Sequence, residues 1–189
     1  MTAKLRQKFK VGSYIKINLS CDRVIFGRLM YEYGVGIYHK LITVGEPLPP
    51  IDQLSKEQFI FYASIFKSVI TKGLFEVIGF QELDQTDIQK IPPSFRQDTV
   101  NISDCVIFWH HTNIEKAAKP EECIGLESAG GWNEISLVQR IEDHLAGKKN
   151  PYFELGKVVL NIDDPRYLPQ PGELIWDFEN EKYYRKNRE

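Results

Sequence analysis

Cysteine is scarce, paired histidine ligands are hard to find, and no long apolar run occurs. The three cysteines, Cys21, Cys105 and Cys123, are odd in number and far apart. They make neither a disulfide framework nor a C-x-x-C site, so reduced thiols in a cytoplasm are expected. No apolar stretch approaches the roughly 18 residues that span a bilayer. The first residues do not combine a basic segment, an apolar core and a cleavage site, so secretion is not expected either. There is no G-x-G-x-x-G loop, phosphate-cradling G-x-x-x-x-G-K-[ST], H-E-x-x-H helix or nucleophile elbow. Charge of one sign is also missing. The formal net charge is -2, which gives no global field for a polyanionic partner.

Ordinary folding material is present. Apolar residues make up 42% and charged residues 26% of the 189-residue chain, a mixture that argues against disorder and fits one domain over 1–189. Eleven Phe, nine Tyr and three Trp supply large apolar surfaces for a core or for recognition.

The chain opens with sheet signals. Ile15, Ile17 and Leu19 alternate with Lys16 and Asn18, which predicts a strand with one wet face. Strands are expected over 24–33, with Gly27 as a bulge or a point of close backbone approach, and over 35–41. After the proline-rich segment at 46–50, Ser55 and Gln58 have capping-box spacing, and the recurrence of Phe59, Tyr62, Ala63, Phe66, Val69 and Ile70 predicts a helix over 55–70. Strands follow at 74–80 and 105–109, with an irregular connection at Pro92 and Pro93 between them. A charged loop runs to Pro120, and 123–126 reads as a short strand or irregular core insertion. Asn133 caps a second helix, whose apolar stripe is Leu137, Val138, Ile141 and Leu145; Glu134, Gln139, Arg140, Glu142 and Asp143 mostly occupy its polar side, and Gly147 ends it. A strand at 157–162 leads into a partly flexible C-terminal extension over 163–189. The fold class is therefore α+β: a curved, mainly antiparallel sheet or partly open barrel with two principal packed helices.

Candidate chemistry is thin. His110, His111 and His144 with Glu127 include suitable metal donors, but adjacent residues of a strand point to opposite faces, and surface or structural histidines are the plainer account. Glu127, Glu134 and Asp143 are candidates for acid/base work, and equally for caps and salt links. Cys105 lies in an apolar strand and reads as core, and Cys123 has no nucleophile motif around it. Lys4, Arg6, Lys8, Lys10, Lys16, Arg23 and Arg28 stand against Asp22 alone; they suggest either a nucleic-acid footprint or the solvated face of a sheet, and the latter is expected. No cofactor or metal site is expected.

Two ordered blocks carry a family resemblance. The first is Lys10-Val11-Gly12-Ser13-Tyr14-Ile15-Lys16-Ile17, followed by Phe26-Gly27-Arg28-Leu29. The second is Cys123-Ile124-Gly125-Leu126-Glu127, followed by Gly131-Trp132-Asn133 and the helix after it, with Phe75-Glu76-Val77-Ile78-Gly79 between the blocks. Over about 8–150 the chain resembles the Imm26 family of bacterial immunity proteins. It departs from the family pattern in having Ser13 where an acidic residue is common, and in its glycine-rich Ala129-Gly130-Gly131.

The resemblance implies a protein that neutralises a cognate bacterial toxin domain by direct binding and occlusion, with no catalysis and no membrane partner. Gly12, Gly27, Arg28, Gly125, Leu126 and Glu127 are then motif residues of structural importance. Trp132 is a candidate aromatic anchor, with Glu134, Glu142 and Asp143 complementing a basic toxin surface. Burial of Trp132 and Leu126 in the core is the other reading. A metal-dependent phosphoester hydrolase and a basic nucleic-acid-binding adaptor are the alternative functions.

Overall fold

The computed structural model describes residues 6–187, so Lys4 of the basic stretch lies outside the described residues. The chain forms two compact units. One runs up to Pro92 and includes Gly130–Val138; the other comprises Pro93–Ala129 and the residues from Gln139 onward. Pro92 and Pro93 thus mark a unit boundary, and because the chain returns to the first unit at Gly130, no single linker separates the two.

The first unit contains β1 (Ser13–Asn18), β2 (Arg23–Tyr31), β3 (Gly34–Thr43), α1 (Ile51–Leu54), β4 (Phe59–Ser64), α2 (Lys67–Thr71), β5 (Glu76–Phe80) and α3 (Gln85–Gln89). Its strands form one antiparallel sheet in the order β4-β3-β2-β1-β5. The first hairpin turns through Cys21 and Asp22, both at positive φ, as a primed turn with the right twist requires. Gly27 sits where the β2–β3 register shifts, and a Cβ there would lie 3.0 Å from the Gly36 carbonyl oxygen; the predicted bulge is a close approach of two backbones. Gly12 needs its lack of side chain for two reasons: φ is +91°, and a Cβ would run into the Gln81 carbonyl.

The wet face expected of this sheet is absent over much of its centre. Tyr14 and Ile15, adjacent in β1 and so on opposite faces, are both fully buried, and β2 is buried from Val24 to its end. Arg28 is 1% exposed rather than solvated. A guanidinium out of water must be paired and hydrogen-bonded. Its Nη1 donates to Asp87 Oδ2 at 2.8 Å, and its Nη2 donates to the carbonyls of Gln81 and Glu82. The Tyr14 ring lies against it, 4.9 Å from Cζ to the ring centroid. Asp87 is brought to the site by α3, which Asp84 caps through its carboxylate. Tyr14, Val24, Phe26, Tyr38 and Leu54 form an adjoining core cluster.

The predicted helix over 55–70 is replaced by the end of α1, strand β4 and the short α2. Ser55 closes α1 instead of starting a helix, its hydroxyl donating to the Asp52 carbonyl. Nearly every residue from Phe59 to Phe66 is apolar, so a 3.6-residue period could be drawn through a run that also suits a strand. Aromatic and β-branched side chains favour the strand, and β3 offers β4 its edge.

In the second unit, β6 (Ser94–Gln97), β7 (Cys105–Trp109), β8 (Ile114–Ala118) and β9 (Glu127–Ser128) make a sheet in the order β8-β7-β6-β9, with only β6–β9 parallel. Helix α4 (Glu134–Leu145) contains the boundary between the units, and α5 (Pro151–Leu155), β10 (Glu173–Asp177) and β11 (Lys182–Lys186) follow it. The expected cap of α4 is present: Asn133 Oδ1 accepts from Ser136 N at 2.9 Å. Gly147, at φ +68°, ends the helix turn. The core of this unit is Phe95, Cys105, Ile107, Cys123 and Val158. Cys123 enters it from a 3-10 turn (Pro120–Cys123), so 123–126 is an irregular core insertion.

Residues 157–162 do not form the predicted strand. A side chain takes the place of a neighbouring strand: Gln97 donates from Nε2 to the Val159 carbonyl at 2.7 Å and accepts from Val159 N at 2.8 Å. The charged loop before Pro120 contains β8, which is almost wholly exposed and therefore carried no alternating apolar signal. The C-terminal extension contains the β10–β11 hairpin.

The fold is thus α+β and mainly antiparallel, with its sheets not closed into a barrel. Arg28→Ala is expected to cost about 3–5 kcal/mol by stranding Asp87, whereas Lys16→Ala, which removes the half-exposed pair with Glu76, should cost under about 1 kcal/mol. Urea unfolding midpoints measure both; equal losses would contradict this account.

Candidate functional site

The motif residue Glu127 lies in β9, which runs parallel to β6 and pairs it with Ser94. Helix α4 supplies its partner. Arg140 donates from Nη1 to Glu127 Oε1 at 2.6 Å and from Nη2 to Oε2 at 2.9 Å, a bidentate pair. Arg140, expected on the polar side of the helix, is 6% exposed, and its guanidinium stacks over Phe153 with 4.4 Å from Cζ to the ring centroid. The pairing explains the correction: a carboxylate on the adjoining strand lets the charge be buried. Leu126 packs against the core of the same unit, and Gly125 takes the turn before it at φ +81°.

A second polar link runs along α4. Asp143 accepts from Gln139 Nε2 at 2.9 Å and from Asn150 Nδ2 at 2.7 Å. Buried Asn150 also caps α5 by accepting from Phe153 N at 2.9 Å. Asp143, a candidate for partner contact, is therefore engaged in joining two helices. Glu142 is half-buried further along α4, and Glu134 is half-buried in its first turn. Trp132 is 8% exposed and sits within the first unit: its N donates to the Ser64 carbonyl, and its carbonyl accepts from Phe66 N. Its side chain is buried, as the core reading of Trp132 expects.

The histidines do not converge. His110 and His111 occupy the turn after β7; His110 is half-buried and His111 exposed. Among the described residues no three His, Cys, Asp or Glu are placed to hold a metal ion. His110 Nε2 and Ser94 Oγ are 2.8 Å apart, the spacing of a base and a nucleophile. Ser94, however, is buried, at 2% exposure. Sixteen residues of separation with no motif left this contact unreadable in the sequence.

Burial pushes the Cys105 thiol up to about 11, with Cys123 beside it contributing, and burial raises Cys123 as well. Both shifts favour the protonated thiol over the nucleophilic thiolate. The second unit also holds a cavity of about 300 Å³ walled by Phe95, Ile102, Leu155, Val159, Tyr167 and Leu168. The polar groups lining it include Gln97, held by Val159, and Asp98, which accepts from Val100 N and Asn101 N. Arg166, also on its wall, bonds Asp164 and the carbonyls of Glu154, Lys157 and Val158.

The basic N-terminal stretch is divided among several jobs. Lys16 pairs with Glu76, Arg28 with Asp87, and Lys10 lies over the Phe80 ring. Arg6, Lys8 and Arg23 are exposed. Among the described residues no helix is long and apolar enough to cross a membrane. No family model, curated protein or solved structure matches the chain.

Burial holds the His110 imidazole below its ordinary value of 6.5, with the nearby His111 acting in the same direction. The unfolded chain takes up that proton first as pH falls, so this residue's contribution to stability is complete above about pH 6.5 and declines below it. His110→Gln, which keeps a polar group near Ser94, should flatten the loss of stability between about pH 7 and 5 in urea titrations; an unchanged slope would reject this assignment.

Proposed function

We propose that this chain is an immunity protein of the Imm26 type, which neutralises a cognate bacterial toxin domain in the cytoplasm by binding and occluding it. The ordered motif blocks support the family reading. Their residues act as framework: Gly12 and Gly27 permit close backbone approaches, while Arg28 and Glu127 are locked in ion pairs. Such a framework presents a surface with little ordering left to lose on association.

The observation that carries the binding reading is a contrast in how side chains are used. Ionisable groups suited to catalysis are held in scaffold contacts, as in Glu127–Arg140 and Asp143–Asn150. Large apolar side chains meanwhile stand in water, with Ile135 80% and Phe178 81% exposed. Apolar side chains that become buried on association are a common source of binding energy.

The test is co-expression of this chain with a candidate toxin domain, sought among the products of genes that neighbour its own. Restored growth and a complex that survives purification are expected. Loss of viability with no complex would contradict the proposal.

A further inference from the structure

The cavity of the second unit is assembled from segments far apart in the chain, and all of its walls belong to that unit. Phe95 comes from β6, Ile102 from the turn before β7, Leu155 and Gly156 from the end of α5, and Leu168 from the segment before β10. Gln97 ties two of these walls together: besides holding Val159, its Nε2 donates to the Ile102 carbonyl at 2.7 Å. At about 300 Å³ the hollow matches the lower end of small-molecule sites, and it shares their make-up, mostly apolar with a few polar groups. Leu155 and Leu168 stand exposed on it, so an apolar body lying against them would remove leucine surface from water.

The charged residues on the wall are Asp98, Lys157 and Arg166. Both cations are already spent. Lys157 Nζ pairs with Glu154 Oε1 at 2.6 Å. Arg166 commits all five of its donors, to the Asp164 carboxylate and to the carbonyls of Glu154, Lys157 and Val158. Asp98 has no ion-pair partner among the described residues. Its Oδ1 accepts from Val100 N at 2.8 Å and Asn101 N at 2.7 Å, and these amides hold its carboxyl below the ordinary value. Neutral amides stabilise the anion without cancelling its charge. The uncompensated charge on the wall is therefore negative.

We propose that this cavity binds a small amphipathic amine, with an aromatic ring or branched alkyl body among Phe95, Ile102 and Leu168 and its ammonium group at Asp98. Apolar burial supplies most of the affinity. Asp98 is exposed, so water screens its attraction; it selects the sign of the ligand and adds a modest, salt-sensitive increment. The site uses residues of the second unit alone and does not rest on the toxin-binding reading.

The test follows backbone amide NMR shifts of the full chain during titration with phenethylamine, its neutral analogue phenethyl alcohol and the anionic analogue hydrocinnamate. The amine is expected to give saturable shifts at Phe95, Ile102 and Leu168 and to bind about five-fold tighter than the alcohol, with the carboxylate weakest. Asp98→Asn, which keeps the acceptor for Val100 N and Asn101 N, should abolish the advantage of the amine and leave the alcohol unchanged. Gly156→Leu adds bulk to the wall without backbone strain. Its φ is −78°, and a Cβ there would meet the Ser128 side chain, also on the wall, in ordinary contact at 3.5 Å. That variant should lose all three ligands at an unchanged urea midpoint; if the midpoint falls, Asp98→Asn decides alone. Equal affinity for amine and alcohol, or tighter binding of the carboxylate, would overturn the amine assignment. No saturable shift with any of the three, or amine shifts that persist in a folded Gly156→Leu variant, would overturn the site itself.

Discussion

Two arginines have been taken out of water, and the local structure around each follows from what that requires. A buried guanidinium carries five donors and cannot shed its charge, so it needs a carboxylate and further acceptors at fixed positions. For Arg28 these are Asp87 and the carbonyls of Gln81 and Glu82, all from the segment following β5. Arg28 therefore ties the centre of β2 to α3, and the Asp84 cap keeps Asp87 in reach. Arg140 does the equivalent work in the second unit by joining α4 to β9 through both oxygens of Glu127. Each pair is costly to desolvate, and each makes its local geometry hard to exchange for another.

Side-chain bonds to the main chain complete this framework where regular pairing stops. Gln97 holds Val159 by both its carbonyl and its amide, so an apolar segment stays in place without joining the sheet. Gln7 treats the first unit similarly, donating to the Phe75 carbonyl at 2.8 Å and accepting from Val77 N at 2.6 Å. Asn150 links α4 to α5, and Tyr183 links the terminal hairpin to the start of α5. The terminal hairpin is thus held to α5 by a side-chain bond as well as by its own strand pairing.

Much of the sheet was legible because local signals agreed with burial. The β1–β3 meander, the Gly27 bulge and the capped helix after Asn133 all follow from patterns a few residues long. Legibility failed where the deciding partner was distant in sequence. Arg28 looked solvated because Asp87 is 59 residues away, and Arg140 looked polar-faced because Glu127 belongs to another element. β4 was misread because continuous apolarity fits either period, and β8 was missed because it buries almost nothing. Glu127 was singled out in the sequence but its partner Arg140 was not, and the burial of Trp132 was one of two readings its residue type allowed.

The account stands on two buried arginine pairs, Arg28 with Asp87 and Arg140 with Glu127, each fixing the local structure of its own unit. Hydrogen–deuterium exchange of the full chain, compared with that of the Arg28→Ala and Arg140→Ala variants, examines it most directly. The predicted result is strong protection around Arg28 and Glu127 in the unaltered chain, lost around Asp87 in the first variant and around β9 in the second. Exchange unchanged in both variants would contradict it.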